Sequence, residues 1–165
     1  MFTAGILTIS DKGSRGERQD KSGEAIREIL SRMDFRIVNY DIIPDEKGLI
    51  VQKLVRWADE DGLDVVITTG GTGLTPRDVT PEATLAVVDR IVPGFAEAMR
   101  AESLKKTPHA MLSRAVVGTR GKCLIINLPG SPMAVRECLE VILPALPHAV
   151  ETLKDQAGEC GTSQV

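Results

Sequence analysis

The chain has 165 residues, 42% of them hydrophobic and 26% charged, with a net charge of −3 and a pI near 5.5. That length and balance suit one globular domain with its own core. They argue against bulk nucleic-acid binding, which needs a basic face, and no apolar run is long enough to span a bilayer.

Phe2–Ile9 is apolar and β-branched and reads as a first strand. Ser22–Met33 reads as a helix, because Ala25, Ile26, Ile29, Leu30 and Met33 fall on one face. Phe35–Ile43 is a second strand, and Leu49–Ala58 a second helix with Ile50, Leu54, Trp57 and Ala58 aligned. Leu63–Thr69 is a short continuous apolar run, the pattern of a strand buried on both faces. Thr80-Pro81 and Pro93-Gly94 open two helices, with Thr80 a good N-cap and proline harmless in the first turn. Leu112–Thr119 and Lys122–Asn127 read as strands around a turn at Arg120-Gly121. Ser131-Pro132 opens a helix to about Leu143, and a last helix ends near Lys154. Residues 1–157 form one domain in this reading, and Gly158–Val165 is a flexible C-terminal tail. The β-α-β-α-β order predicts an α/β fold: a three-layer α/β/α arrangement with a mostly parallel open sheet. The late strand pair supplies an antiparallel edge.

The cysteines, Cys123, Cys138 and Cys160, are odd in number and lack paired spacing. Neither a disulfide framework nor a zinc site is expected. The N-terminus carries no basic region or cleavage signal, so the expected location is cytoplasmic. The two histidines, His109 and His148, have no neighbouring ligand pattern and read as structural. Acid–base chemistry must then rely on carboxylates, lysines or water.

In open α/β sheets, ligands bind beyond the carboxyl ends of the strands. The first strand ends in Ser10-Asp11, followed by Lys12-Gly13-Ser14-Arg15-Gly16. The second ends in Pro44-Asp45-Glu46, the third in Gly70-Gly71-Thr72-Gly73 with Arg77-Asp78 beyond, and the last in Asn127-Leu128-Pro129-Gly130-Ser131. Glycines after a strand let backbone N–H groups approach a ligand closely, and a following helix N-terminus favours an anion. The glycine run lacks the ending of a P-loop and the spacing of the dinucleotide fingerprint.

Each feature also has a plain structural reading. The glycines can be a tight strand-to-helix turn, Asp45 a helix N-cap, and Asp78 a surface partner of Arg77. Asp11 can cap a turn, and Ser131 reads as an N-cap in any case. Lys12, Arg15, Arg18 and Lys21, diluted by Asp11, Glu17 and Asp20, read slightly better as a solvated loop. If the carboxylates converge, they suit Mg²⁺, which binds through one or two carboxylates plus substrate phosphates. The glycine loop would hold other phosphate oxygens. That is the chemistry of phosphoryl or nucleotidyl transfer, in which positioning and electrostatics dominate.

Four motifs in order resemble the molybdopterin adenylyltransferase family of molybdenum-cofactor biosynthesis, which includes the corresponding domain of gephyrin. They are Thr68–Thr84, the spaced set Ser10-Asp11, Ser14, Gly16, Asp20 and Ser22-Gly23, then Ile43-Pro44-Asp45-Glu46 and Leu128-Pro129-Gly130-Ser131-Pro132. The resemblance covers about Ile6 to Leu153. It implies transfer of AMP from Mg-ATP to the terminal phosphate of molybdopterin, with release of pyrophosphate. It implies two essential aspartates, Asp45 and Asp78, as catalytic residues and candidate Mg²⁺ ligands. It implies a nucleotide and pterin pocket with Ser10, Asp11, Ser14, Gly70, Gly71, Thr72, Gly73, Arg77, Pro129, Gly130 and Ser131. A homotrimer and a separate molybdate-inserting protein are expected partners; nucleic acid and membrane are not. A non-catalytic molybdopterin carrier of the same fold is the competing reading, and an unrelated sugar- or nucleotide-phosphate enzyme a more distant one.

Overall fold

A computed structural model describes residues 1–155. The expected tail, Gly158–Val165, lies outside the described residues, as does Cys160. In chain order the elements are β1 (Phe2–Ile9), the single-turn α1 (Asp11–Ser14), α2 (Lys21–Leu30), β2 (Phe35–Ile43) and α3 (Lys47–Val55), which continues as a π-helical turn, Arg56–Glu60. Then come β3 (Val65–Thr69), α4 (Thr80–Val87), β4 (Arg90–Ile91), α5 (Pro93–Leu104) and a 3₁₀ segment, Pro108–Leu112. The chain ends in β5 (Val117–Arg120), β6 (Cys123–Leu128), α6 (Pro132–Ile142) and α7 (Leu146–Leu153).

The strands form one sheet in the order β2-β1-β3-β6-β5-β4. β2, β1, β3 and β6 run parallel, while β5 and β4 form the antiparallel edge. Alternate strand residues feed two cores. Ile6, Ile67, Leu124 and Ile126 pack with α2, α5, α6 and α7, whereas Leu7, Val66 and Ile125 pack with α3, α4 and Trp57. The expected three layers are therefore present. β3 is buried along its whole length, which explains why its sequence shows no alternation. No helix among the described residues is long and apolar enough to cross a membrane.

Three local expectations change. The strand expected from Leu112 begins only at Val117. Leu112 closes the 3₁₀ segment, and the Arg114 N–H donates to the Thr72 carbonyl at 2.9 Å, outside the sheet ladder. Thr80 is the first residue of α4, not its N-cap, which is Val79. Its amide donates to the Gly71 carbonyl at 3.1 Å and its hydroxyl to the Gly70 carbonyl at 2.8 Å, so tertiary bonds use the groups a cap would use. Asp20, two residues before the expected start of α2, is that helix's N-cap, accepting from the Gly23 N–H at 2.9 Å.

β1 is flanked by β2 and β3, so the chain leaves it toward opposite sides of the sheet. That reversal opens a crevice beyond the carboxyl ends of β1 and β3.

Candidate active site

The crevice holds a cavity of about 850 Å³. Seven of the predicted catalytic and pocket residues line it: Ser10, Asp45, Gly70, Gly71, Asp78, Gly130 and Ser131. Asp11, Ser14, Thr72, Gly73, Arg77 and Pro129 do not line it.

The strand ends meet at two glycines. Gly70 has φ +97°, a conformation open only to glycine, and a Cβ there would lie 2.3 Å from the Ile9 carbonyl oxygen. Gly130, after β6, brings its own Cβ position to 3.5 Å from the Gly70 Cα. Hydroxyls pin the last loop: Thr69 Oγ1 donates to the Pro129 carbonyl at 2.7 Å, and Ser22 Oγ to the Gly130 carbonyl at 2.6 Å. Ser131 is the N-cap of α6, as expected, accepting from the Ala134 N–H at 3.1 Å.

The two aspartates lie against the same glycine loop. A Cβ at Gly71 would sit 3.2 Å from Asp45 Oδ1, and one at Gly73 would sit 2.9 Å from Asp78 Oδ2. The glycines thus leave the space that the carboxylates occupy. Neither aspartate follows its plain structural reading. Asp45 is not a helix cap: the N-cap of α3 is Glu46, and Asp45 Oδ2 accepts from the Asp11 N–H at 2.8 Å. The Asp45 N–H returns a bond to Asp11 Oδ1 at 3.0 Å. Asp78 is not the partner of Arg77, because Arg77 forks onto Asp11 through Nε and Nη2 at 3.0 and 2.9 Å. Asp78 Oδ2 accepts from the Thr75 N–H and hydroxyl, each at 2.9 Å. Ser14 Oγ closes the first loop by donating to the Asp11 carbonyl at 2.8 Å.

These contacts separate the carboxyls electrostatically. Arg77 holds Asp11 below its ordinary range, so Asp11 is a fixed anion used structurally. Asp45 is pushed above the ordinary aspartate value of 3.8, chiefly by burial, with Asp11 and Asp78 adding repulsion. A raised folded-state value means that Asp45 favours the fold while protonated, below its unfolded value. That contribution is lost as the pH rises through the folded value. At pH 7 the ionised carboxylate therefore opposes folding. The Asp45→Asn variant is expected to melt about 2 °C or more above the parent at pH 7. The gap should close toward about pH 4. Equal melting temperatures at pH 7 would show that Asp45 carries no such cost.

Sequence reading passed over several residues. Arg114, far along the chain, ties the second half of the glycine loop together. Its Nε donates to the Gly73 carbonyl and its Nη2 to the Asp78 carbonyl, both at 2.7 Å, while Nη1 pairs with Glu82. No local pattern marks it, since its partners lie 32 to 41 residues away. Thr8, Gly13, Arg18, Gln19, Asp20, Lys21 and Ser22 also line the cavity. Asp20 and Ser22 carried a signal, as members of the first spaced motif. Asp20 faces inward: Oδ2 accepts from Thr8 Oγ1 at 2.6 Å and from the Tyr40 hydroxyl. Burial and Asp20 together keep that phenol protonated well above its usual range. Beneath the site, the fully buried Asn127 donates to Thr68 Oγ1 at 3.0 Å and Thr84 Oγ1 at 2.9 Å, locking α4 to the sheet.

Among the described residues no group of three or more His, Cys, Asp or Glu is placed to hold a metal ion. Two carboxylates beside a cavity of this size still match the needs of Mg²⁺, a hard cation that takes most remaining ligands from phosphates and water.

Comparison with known proteins gives the family and the fold. The family described as "probable molybdopterin binding domain" matches residues 5–148. A Helicobacter pylori protein named molybdopterin adenylyltransferase is 48% identical over 154 residues, covering 90% of this chain and 86% of its own. Gephyrin of Dictyostelium discoideum is 44% identical over 159 residues, which span 90% of this chain and 22% of gephyrin. The crystal structure of the molybdopterin biosynthesis enzyme MoaB from Thermus thermophilus superposes with a TM-score of 0.90 at 56% identity. That match covers 94% of this chain and 98% of the other.

Proposed function

Because the chain belongs to the molybdopterin-binding domain family, we propose that it is a molybdopterin adenylyltransferase that moves AMP from ATP to the terminal phosphate of molybdopterin. The observation that carries the reading is the convergence of Asp45 and Asp78 on one glycine loop at the mouth of the β1/β3 crevice.

An oxygen of the pterin phosphate attacks the α-phosphorus of ATP. The bond from that phosphorus to the bridging oxygen breaks, and its electron pair leaves with pyrophosphate. The nucleophile is already ionised at neutral pH, so no general base is required. Asp45 and Asp78 would hold Mg²⁺, which neutralises phosphate charge when bound. Asp11 and Arg77 fix the backbone around Asp45, Thr75 orients Asp78, and Arg114 fixes the loop between them. The Gly71 N–H and the capped N-terminus of α6 at Gly130-Ser131 supply the nucleotide and pterin pocket, with Ser10 at its edge, while the Gly70 N–H is held by the Leu128 carbonyl at 3.2 Å and shapes the loop. The reading includes one catalytic unit over residues 1–157, a cytoplasmic homotrimer, and a separate protein that inserts molybdate into the adenylylated product.

The test is direct. Purified protein is mixed with molybdopterin and Mg-ATP labelled at the α-phosphate, and label is followed into the pterin. Transfer with stoichiometric pyrophosphate supports the reading. Tight pterin binding with no transfer leaves a carrier instead.

A further inference from the structure

The four basic residues after β1 look alike in the sequence, but their surroundings differ. Arg15 forks onto Glu17 through Nε and Nη2 at 2.9 and 3.1 Å, and it does not line the cavity. Lys12 does not line it either. Arg18 and Lys21 do, and neither side chain has a hydrogen bond or ion pair with any described residue. Asp20 stands between them in sequence yet does not neutralise them. Its oxygens accept from Thr8, Tyr40 and the Gly23 N–H, so the carboxylate is turned into the fold. All four side chains are exposed, as a solvated loop requires, but only Arg18 and Lys21 also border the cavity. Among the described residues, Arg18 and Lys21 are the only cationic side chains in a cavity lining that also carries Asp20, Asp45 and Asp78.

We propose that Arg18 and Lys21 form the subsite that receives the β- and γ-phosphates of ATP and then the departing pyrophosphate. This assignment rests on the adenylyl-transfer reading given above. The chemistry selects between the two anionic groups that the cavity would hold. The attacking pterin phosphate gives up electron density as its oxygen bonds to the α-phosphorus, so a cation bound to it would weaken the nucleophile. The pyrophosphate gains the electron pair of the breaking bond, so fixed positive charge there favours the transition state over the ground state. Arg18 supplies a planar fork that suits two phosphate oxygens, and Lys21 a compact point charge.

The experiment uses the full-length protein and inorganic pyrophosphate as the probe, with binding followed by calorimetry in Mg²⁺ buffer. Arg18→Gln and Lys21→Gln are each expected to weaken pyrophosphate binding roughly tenfold, the size expected for losing one hydrogen bond to a charged group. Both should raise KM for ATP and leave KM for molybdopterin unchanged. Arg15→Gln should behave as the parent in every measurement. Unchanged pyrophosphate affinity in the Arg18→Gln/Lys21→Gln double variant, or a rise confined to KM for molybdopterin, would overturn the assignment. Should the parent bind pyrophosphate through these residues but transfer no AMP, the polyphosphate subsite stands and the adenylyltransferase reading falls.

Discussion

Asp78→Asn is expected to abolish turnover while leaving the pterin site intact. Asp78 Oδ2 takes both hydrogen bonds from Thr75, at 2.9 Å each, and the carboxamide oxygen of asparagine can take the same pair. The backbone carbonyl of residue 78 stays tied to Arg114. The substitution therefore removes charge and little geometry. Loss of one preorganised electrostatic group from such a site costs about 10²–10³ in rate. The expected result is a fall in kcat of that size or more, with an unaltered melting temperature and an unaltered dissociation constant for molybdopterin followed by its fluorescence. Turnover within a few-fold of the parent would remove Asp78 from the mechanism, whatever its position in the cavity.

Gly70→Ala should be the most damaging of the small substitutions to stability. Two costs combine there: a side chain forced into φ +97°, and a methyl carbon placed 2.3 Å from the Ile9 carbonyl oxygen. Backbone strain and overpacking each cost about 1–3 kcal/mol. A combined loss of about 3–5 kcal/mol lowers the melting temperature by roughly 10 °C in a domain of this size. Relief requires β1 and β3 to part at the crevice, so adenylyl transfer should fail in whatever fraction remains folded. Gly130→Ala provides the contrast. Its added carbon meets the Gly70 Cα at 3.5 Å, an ordinary contact, and no positive φ is involved. Thermal denaturation of the two variants side by side checks the argument. A Gly70→Ala protein as stable as Gly130→Ala would mean that the crevice is far more pliable than its backbone contacts imply.

Much of the fold was legible because its signals are local. β1, β3 and β6 announce themselves as continuous apolar runs bounded by turn residues. Ser131 accepts from an amide three residues on, as its place before Pro132 predicts, whereas the same relation at Asp20 was not read from the sequence. The site was legible only as a set of strand ends that parallel pairing would bring to one rim. What each residue does there depends on partners far away in the chain. Asp45 is bound to Asp11 across 34 positions, and Arg77 reaches back 66 to the same residue. A Pro-Asp-Glu sequence before a helix and an adjacent Arg-Asp pair both invite local explanations, and tertiary hydrogen bonds displaced both. The late start of β5 has the same origin, since the Arg114 amide is taken by Thr72. Charge pattern predicted an exposed loop correctly but did not separate its basic residues. Arg15 and Arg18 are equivalent residues three positions apart, and only the direction of the loop sends one to Glu17 and the other to the cavity.

The strands flooring the cavity come from distant stretches of the chain, with β3 pairing to β1 on one side and to β6 on the other. Until Leu128 and Pro129 have emerged from the ribosome, the Gly70 amide lacks its carbonyl acceptor and the Thr69 hydroxyl has nothing to hold. A stalled or prematurely ended polypeptide thus has neither the glycine loop nor the α6 cap in working position. Pairings of such wide sequence separation also slow folding. Competence to bind substrate therefore waits until β6 and the Pro129 turn have been made.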